Sequence, residues 1–292
     1  MKTEVMKHGL AFAEGLAWAE SSDSLVISAV QGGMVYRLDA FSELHEVADV
    51  GGGANNVALA SDGSIIVAQN GGTDAQEPLS RIFPDIRLPP VRTSQTGLQC
   101  IAPDGQVSFL LSEGLNAPND VTAHPDGSLY ITDPGTPGQP EDYTGGRIMR
   151  LSPRGELSEI AGGFYYPNGL QVDGDGNVFV TEGRGLLRIN PQGEESWIVE
   201  QLTDHGGDGH CLDIEGRHYV AMMLKSGVQV FDRSGRELNF IEFPDGRLTT
   251  NCCFGGPDLS WLFMTDGATG HIAVVKDMPT RGARLPLVQR GA

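Results

Sequence analysis

Six short apolar runs in this chain begin with a carboxylate or a carboxamide: Glu14-Gly15-Leu16-Ala17-Trp18, Asn56-Val57-Ala58-Leu59, Asn119-Asp120-Val121-Thr122, Asn168-Gly169-Leu170-Gln171-Val172, Asp208-Gly209-His210-Cys211-Leu212 and Asn251-Cys252-Cys253-Phe254. Successive members stand 42, 63, 49, 40 and 43 residues apart. All six offer oxygen and none offers sulfur or imidazole. Gathered on one axis, they would suit a hard divalent cation, Ca²⁺ first and Mg²⁺ or Mn²⁺ next. The two carboxylates among them balance one such charge. Asn and Asp ahead of a strand also cap turns through the local backbone, and any one of the six taken alone reads that way. Their shared register is what points to a common site.

A period near forty residues is the mark of a repeat architecture. Each start is followed by a turn and a β-rich run, as in Ser61-Asp62-Gly63-Ser64-Ile65-Ile66-Val67 and His124-Pro125-Asp126-Gly127-Ser128-Leu129-Tyr130-Ile131. Asp-Gly between β-branched runs is a strong hairpin signal. Third strands follow at 185–189, 227–231 and 270–275, and fourth strands at 107–111 and 157–160. The expectation is an all-β chain, a six-bladed β-propeller with four-stranded antiparallel blades, forming one domain over residues 1–292. The segment from about Val5 to Phe12 is expected to close the ring against the last blade. The 63-residue interval holds an insertion at about 71–97, and a second longer loop spans about 134–146 and carries Tyr143. Both are expected to wall or cover a pocket.

The chain has 292 residues and a formal net charge of −18. Such an acidic surface repels phosphate backbones and anionic lipid, which argues against nucleic-acid and membrane partners. The first eight residues are too polar for a signal peptide and no segment is long enough to span a bilayer, so the cytoplasm is the expected compartment. The four cysteines make no CxxC pair and read as buried structural thiols.

Glu14-Gly15, Asn116-Ala117-Pro118-Asn119-Asp120, Pro167-Asn168-Gly169-Leu170, Asp208-Gly209 with Asp213-Ile214-Glu215-Gly216, and Thr250-Asn251-Cys252-Cys253-Phe254-Gly255-Gly256 together resemble the regucalcin / gluconolactonase / luciferin-regenerating-enzyme-like family of six-bladed propellers. The resemblance runs from Glu14 to the last blade. It implies one divalent cation held by Glu14, Asn119, Asn168 and Asp208, with Ca²⁺ the leading candidate and Mg²⁺, Mn²⁺ or Zn²⁺ the others. It also implies hydrolysis of a lactone, a small cyclic ester. Asn56 and Asn251 then become substrate-facing or water-holding positions. Where the sugar-lactonase branch carries an arginine two residues before the second Asn-bearing strand, this chain has Ala117. With Phe164, Tyr165, Tyr166, Met222 and Met223 near the expected rim, that points to a less polar substrate.

The mechanism expected from this set is ester hydrolysis with the cation as Lewis acid and Asp208 as the base that takes a proton from water. His205 and His210 flank Asp208; by strand alternation His210 shares its face. Either histidine could shuttle a proton or line the pocket, while a buried structural role is the alternative for His210. Tyr165 and Tyr143 complete the expected substrate contacts. A Ser-His-Asp site is disfavoured, since no Gly-x-Ser-x-Gly elbow is present. The rival readings are another reaction at the same cation, such as phosphotriester hydrolysis or a lyase or isomerase step, and a non-catalytic Ca²⁺-binding propeller.

Overall fold

Six antiparallel sheets of four strands follow one another around a central axis. They are seen in a computed structural model that describes the chain apart from residues 1, 7, 40–42, 136–142, 184, 204–205 and 291–292. The innermost strands are Ala13–Ala19, Ala54–Leu59, Val121–Ala123, Pro167–Val172, Gly207–Leu212 and Thr249–Gly255, which number the blades 1 to 6. Each blade runs outward in chain order, except the sixth. There the outer strand is Thr3–Met6, paired antiparallel with Ile272–Val275. The ring is thus closed by the N-terminal segment, over a shorter and earlier stretch than the expected Val5 to Phe12.

The second strand of each blade is buried along most of its length on both faces, which explains its largely apolar composition. Leu25, Val26 and Ile27 in blade 1 and Ile66, Val67 and Ala68 in blade 2 are fully buried. Neighbouring sheets pack face to face through them. Val26 and Val35 of blade 1 meet Val57, Ile65 and Val67 of blade 2, and Ile66 and Leu98 of blade 2 meet Val121 and Ile131 of blade 3. Each such side chain contributes roughly 1.5–3 kcal/mol by leaving water. The outer strands alternate, as in Glu43–Asp49, because one face meets solvent. Turns between strands follow the Asp-Gly signal: Asp126 Oδ1 accepts from Ser128 N at 2.8 Å while Gly127 takes φ +84°.

Cys252 and Cys253 project to opposite faces, into two different core clusters, and all four cysteines are buried and unpaired. The insertion folds into a short helix, Gln76–Ile82, with an extended return. Although it leaves blade 2, it packs Ala75 and Leu79 on Leu248 and Ala268 of blade 6, with Phe12 and Met223 alongside. It therefore reaches over the channel mouth. No helix among the described residues is long and apolar enough to cross a membrane.

Candidate active site

The inner strands enter the channel through a β-bulge. Ala13 faces Ala29 but Leu16 faces Ile27, so Glu14 and Gly15 together oppose one residue. The same irregularity occurs between Ala54 and Val57, Pro167 and Leu170, and Gly207 and His210, and between Thr249 and Asn251 in blade 6. Register then sorts the residues into two rings. The upper ring is Glu14, Asn55, Asn119, Asn168, Asp208 and Thr250. The lower ring, one residue further along each strand, is Gly15, Asn56, Asp120, Gly169, Gly209 and Asn251.

The four donors expected from the sequence all lie in the upper ring. Glu14, Asn119, Asn168 and Asp208, with Asn55, line a cavity of about 380 Å³ that also meets Tyr165, Tyr166 and the helical insertion. Asn56 and Asn251 do not belong to it: they line a second cavity of about 470 Å³ at the other end of the channel. A bulge adds one residue to a strand, and it displaces both from the register assumed in the sequence. Asn55 and Thr250 hold the upper positions instead.

Lower-ring polar groups are satisfied locally. Asn56 Oδ1 accepts from Val57 N, Asp120 Oδ1 from Val121 N at 2.7 Å and Asn251 Oδ1 from Cys252 N at 2.8 Å. Asp120 Oδ2 also takes the N–H of Leu170 in blade 4 at 2.7 Å. Glycine is required between them, because a Cβ on Gly209 would overlap the Asn251 side chain and one on Gly15 would overlap Asn56. Asn251 also reaches upward, its Nδ2 donating to Glu14 Oε2 at 3.5 Å.

Upper-ring groups are satisfied only in part. Asn168 hydrogen-bonds Asp208 through its side chain, and its Oδ1 is buried with no partner. Burial, and then the charges of Asp208 and Asp120, push the Glu14 carboxyl well above the ordinary range, against the help of Asn251. Burial and Asp120 do the same to Asp208, against Asn168 and the Gly209 N–H. Asp120 is pushed up to about 7 by burial despite its two backbone donors. The Tyr166 hydroxyl hydrogen-bonds Asn119, and burial and the Asp208 charge raise its pKa. Three buried carboxyls with raised pKa values are an arrangement that lacks positive charge. Among the described residues no three His, Cys, Asp or Glu side chains form a metal cluster; the expected set is two carboxylates and two amide side chains.

A belt of hydroxyls fixes the ring from outside. Ser28 Oγ donates to the Asn55 carbonyl at 2.5 Å, and Thr132 Oγ1 to that of Asn168 at 2.7 Å. Thr181 and Thr265 Oγ1 reach the carbonyls of Asp208 and Glu14, each at 2.6 Å. Each bond crosses to the next blade. One residue later on the same strands, acids hold the loops that deliver the inner strands. Asp133 accepts from Asn116 and Ala117 N, Glu182 from Tyr165 N, and Asp266 from Arg247 and Leu248 N. The recurrent pairs Thr132-Asp133, Thr181-Glu182 and Thr265-Asp266 carried this signal in the sequence.

The remaining expected contacts divide. Tyr165 lines the cavity, as do Tyr166 and Met223, whereas Phe164 and Met222 are core residues. His210 does not share the face of Asp208, because the bulge at 207–210 breaks the alternation. It is 1% exposed, lies beside His218 with ring centroids 5.7 Å apart and the rings tilted by 31°, and has no hydrogen-bond partner on either nitrogen. Burial, and then His218, lower its pKa well below the ordinary value, so it stays neutral. Tyr143 lies against Gly135 and Gly145 and is not among the residues lining the cavity. His205 lies outside the described residues. Asn55, Asp120 and Thr250 are the ring residues that sequence reasoning missed; Tyr166 was expected only near the rim.

Comparison with known proteins agrees with the fold. Pentonolactonase XacC of Haloferax volcanii is 25% identical over 285 residues, covering 92% of this chain and 88% of the relative. A gluconolactonase from Xanthomonas campestris matches with a TM-score of 0.76 at 22% identity, over 96% of this chain and 89% of its own. Regucalcin from Agrobacterium tumefaciens, a calcium-binding protein, matches with a TM-score of 0.73 at 20% identity, over 97% of this chain and 95% of its own. These two structures share the fold. The SMP-30/Gluconolactonase/LRE-like region matches residues 12–268, the inner strands of all six blades included. This chain belongs to the SMP-30/gluconolactonase/LRE-like family.

Proposed function

We propose that this protein is a divalent-metal-dependent lactonase that opens a cyclic ester with water, using Glu14, Asn119, Asn168 and Asp208 as its metal donors. The observation that carries the reading is the upper ring itself. A buried amide oxygen without a partner stands with two buried carboxyls of raised pKa. A cation supplies what all three lack, and an all-oxygen set favours Ca²⁺. The lactonase names of the relatives and the calcium-binding neighbour support the same assignment.

Bound there, the cation would polarise the lactone carbonyl and ease ionisation of a nearby water. The protein's own groups do the rest. Asp208, ionised once its charge is balanced, takes the proton from the attacking water. Asn251 steadies Glu14 from below, and the Tyr166 hydroxyl sets the orientation of Asn119. Thr73, Ala75, Pro78, Leu79 and Ile82 of the insertion wall the cavity and limit bulk water in it. The acidic surface, with 38 Asp and Glu against 20 Lys and Arg, fits a small neutral substrate and no nucleic-acid or membrane partner.

The test is metal analysis and a lactone panel on one preparation. Proton release from at least one lactone should stop with chelator and return with Ca²⁺, Mg²⁺, Mn²⁺ or Zn²⁺. Turnover that is indifferent to chelation, or binding of no divalent ion, overturns the proposal. Metal-restored turnover of a phosphotriester and of no lactone would keep the cation and replace the substrate.

A further inference from the structure

We propose that the cavity selects neutral lactones bearing an apolar substituent over polyhydroxylated or anionic ones; this rests on the lactonase reading above. The roof is the first observation. Phe12, Pro78, Leu79, Ile82, Met223 and Leu248 face the oxygen ring across the cavity, and Leu79 and Leu248 are themselves buried in the cluster that seats the insertion. This wall is built in place. Arg247 holds Asp85 with two bonds of 2.6 and 2.9 Å and lies 4.5 Å from the Phe83 ring centre. Gln31 accepts from Ala75 N at 3.1 Å and donates to Pro89 O at 3.0 Å.

The second observation is that the polar groups beside the donors are already engaged. Asn70 donates to Asn55 Oδ1 at 3.2 Å and accepts from Gly72 and Thr73 N. Asn55 spends its amide on the Asn119 carbonyl at 3.0 Å, and Tyr166 is held by Asn119. Sugar hydroxyls entering here would leave water for side chains with no free partner, at a cost on the order of tenfold to a hundredfold in affinity each. Methylene groups against the same wall gain about fourfold each. The third observation is charge: the described lining residues include Glu14 and Asp208 and no Lys, Arg or His. An anionic substituent finds no cationic side chain among the described lining residues.

The experiment measures kcat/KM of the metal-loaded enzyme for δ-valerolactone, a δ-lactone with a pentyl side chain and glucono-δ-lactone. The pentyl lactone should exceed δ-valerolactone by at least about tenfold, with glucono-δ-lactone lowest. Ile82 is 52% exposed, so Ile82→Ser leaves folding intact. The I82S enzyme should raise KM for the pentyl lactone severalfold and lower its kcat/KM relative to that for δ-valerolactone. Calorimetric binding of the pentyl-substituted δ-lactam, compared with the unsubstituted lactam, reads the same wall without turnover. Preference for glucono-δ-lactone, or equal binding of both lactams, overturns the proposal. Absence of turnover on every lactone while the pentyl lactam still binds better sinks the lactonase reading and keeps the apolar wall.

Discussion

The upper and lower rings of the channel are one residue apart on the same strands and differ in almost everything else. Below, three polar side chains share the ring with three glycines, the oxygens of Asn56, Asp120 and Asn251 each accept from a backbone N–H, and the groups close on one another. Above, glycine is absent, two carboxyls are buried, and an amide oxygen stands unpaired. A folding chain satisfies its buried polar groups unless something else is to satisfy them. The lower ring is architecture; the upper ring is left incomplete by the protein.

The sharpest way to break this comparison is Asp208→Asn. Lactone turnover of the metal-loaded protein should fall on the order of 10³-fold. The chelated protein should melt at a higher temperature than the chelated parent, since one buried like charge is gone. Turnover within tenfold of the parent, together with a lower melting temperature, would show that Asp208 is structural. In the lower ring the signs reverse. Gly209→Ala drives a methyl into Asn251 and should cost about 1–3 kcal/mol in chemical denaturation with no gain in the chelated state. By shifting Asn251 off Glu14 it should also weaken cation binding by about 10- to 100-fold, readable by titration calorimetry. The smallest expected effect is on the belt between blades. Thr181→Val leaves the Asp208 carbonyl without its buried donor and should destabilise by about 1–2 kcal/mol, with recovery in Thr181→Ser. Equal stability in both variants would mean that the belt is incidental.

Much of this was legible in the sequence, for identifiable reasons. Period and Asp-Gly turns depend on local chemistry, so blade number, strand count and ring closure followed from them. The six ring positions were visible because each precedes an apolar run, and the family resemblance singled out Glu14, Asn119, Asn168 and Asp208, which the fold brings to one cavity. The bulge was not legible, since whether a strand carries one extra residue depends on its partner's register. Hence Asn56 and Asn251 were placed one step too high, and His210 on the wrong face. Asp120 was hidden beside Asn119, where only the approach of Leu170 from another blade shows its burial. The insertion read as a loop with four prolines, and its route over the mouth is set by tertiary contacts with blades 1, 5 and 6.

The seam of the ring has a mechanical meaning. Thr3–Met6 zips onto Ile272–Val275, and Thr265 crosses from blade 6 to the carbonyl of Glu14. Glu14 is thus the proposed donor that stands next to the joint. The other three donors sit on blades 3, 4 and 5. An ion held by all four would be a rivet spanning the channel from blade 1 to blade 4, tying opposite walls that otherwise communicate only around the rim. Opening the seam would then be resisted from the centre as well as from the edge, and a chain stripped of its ion would keep its sheets while losing its cross-brace.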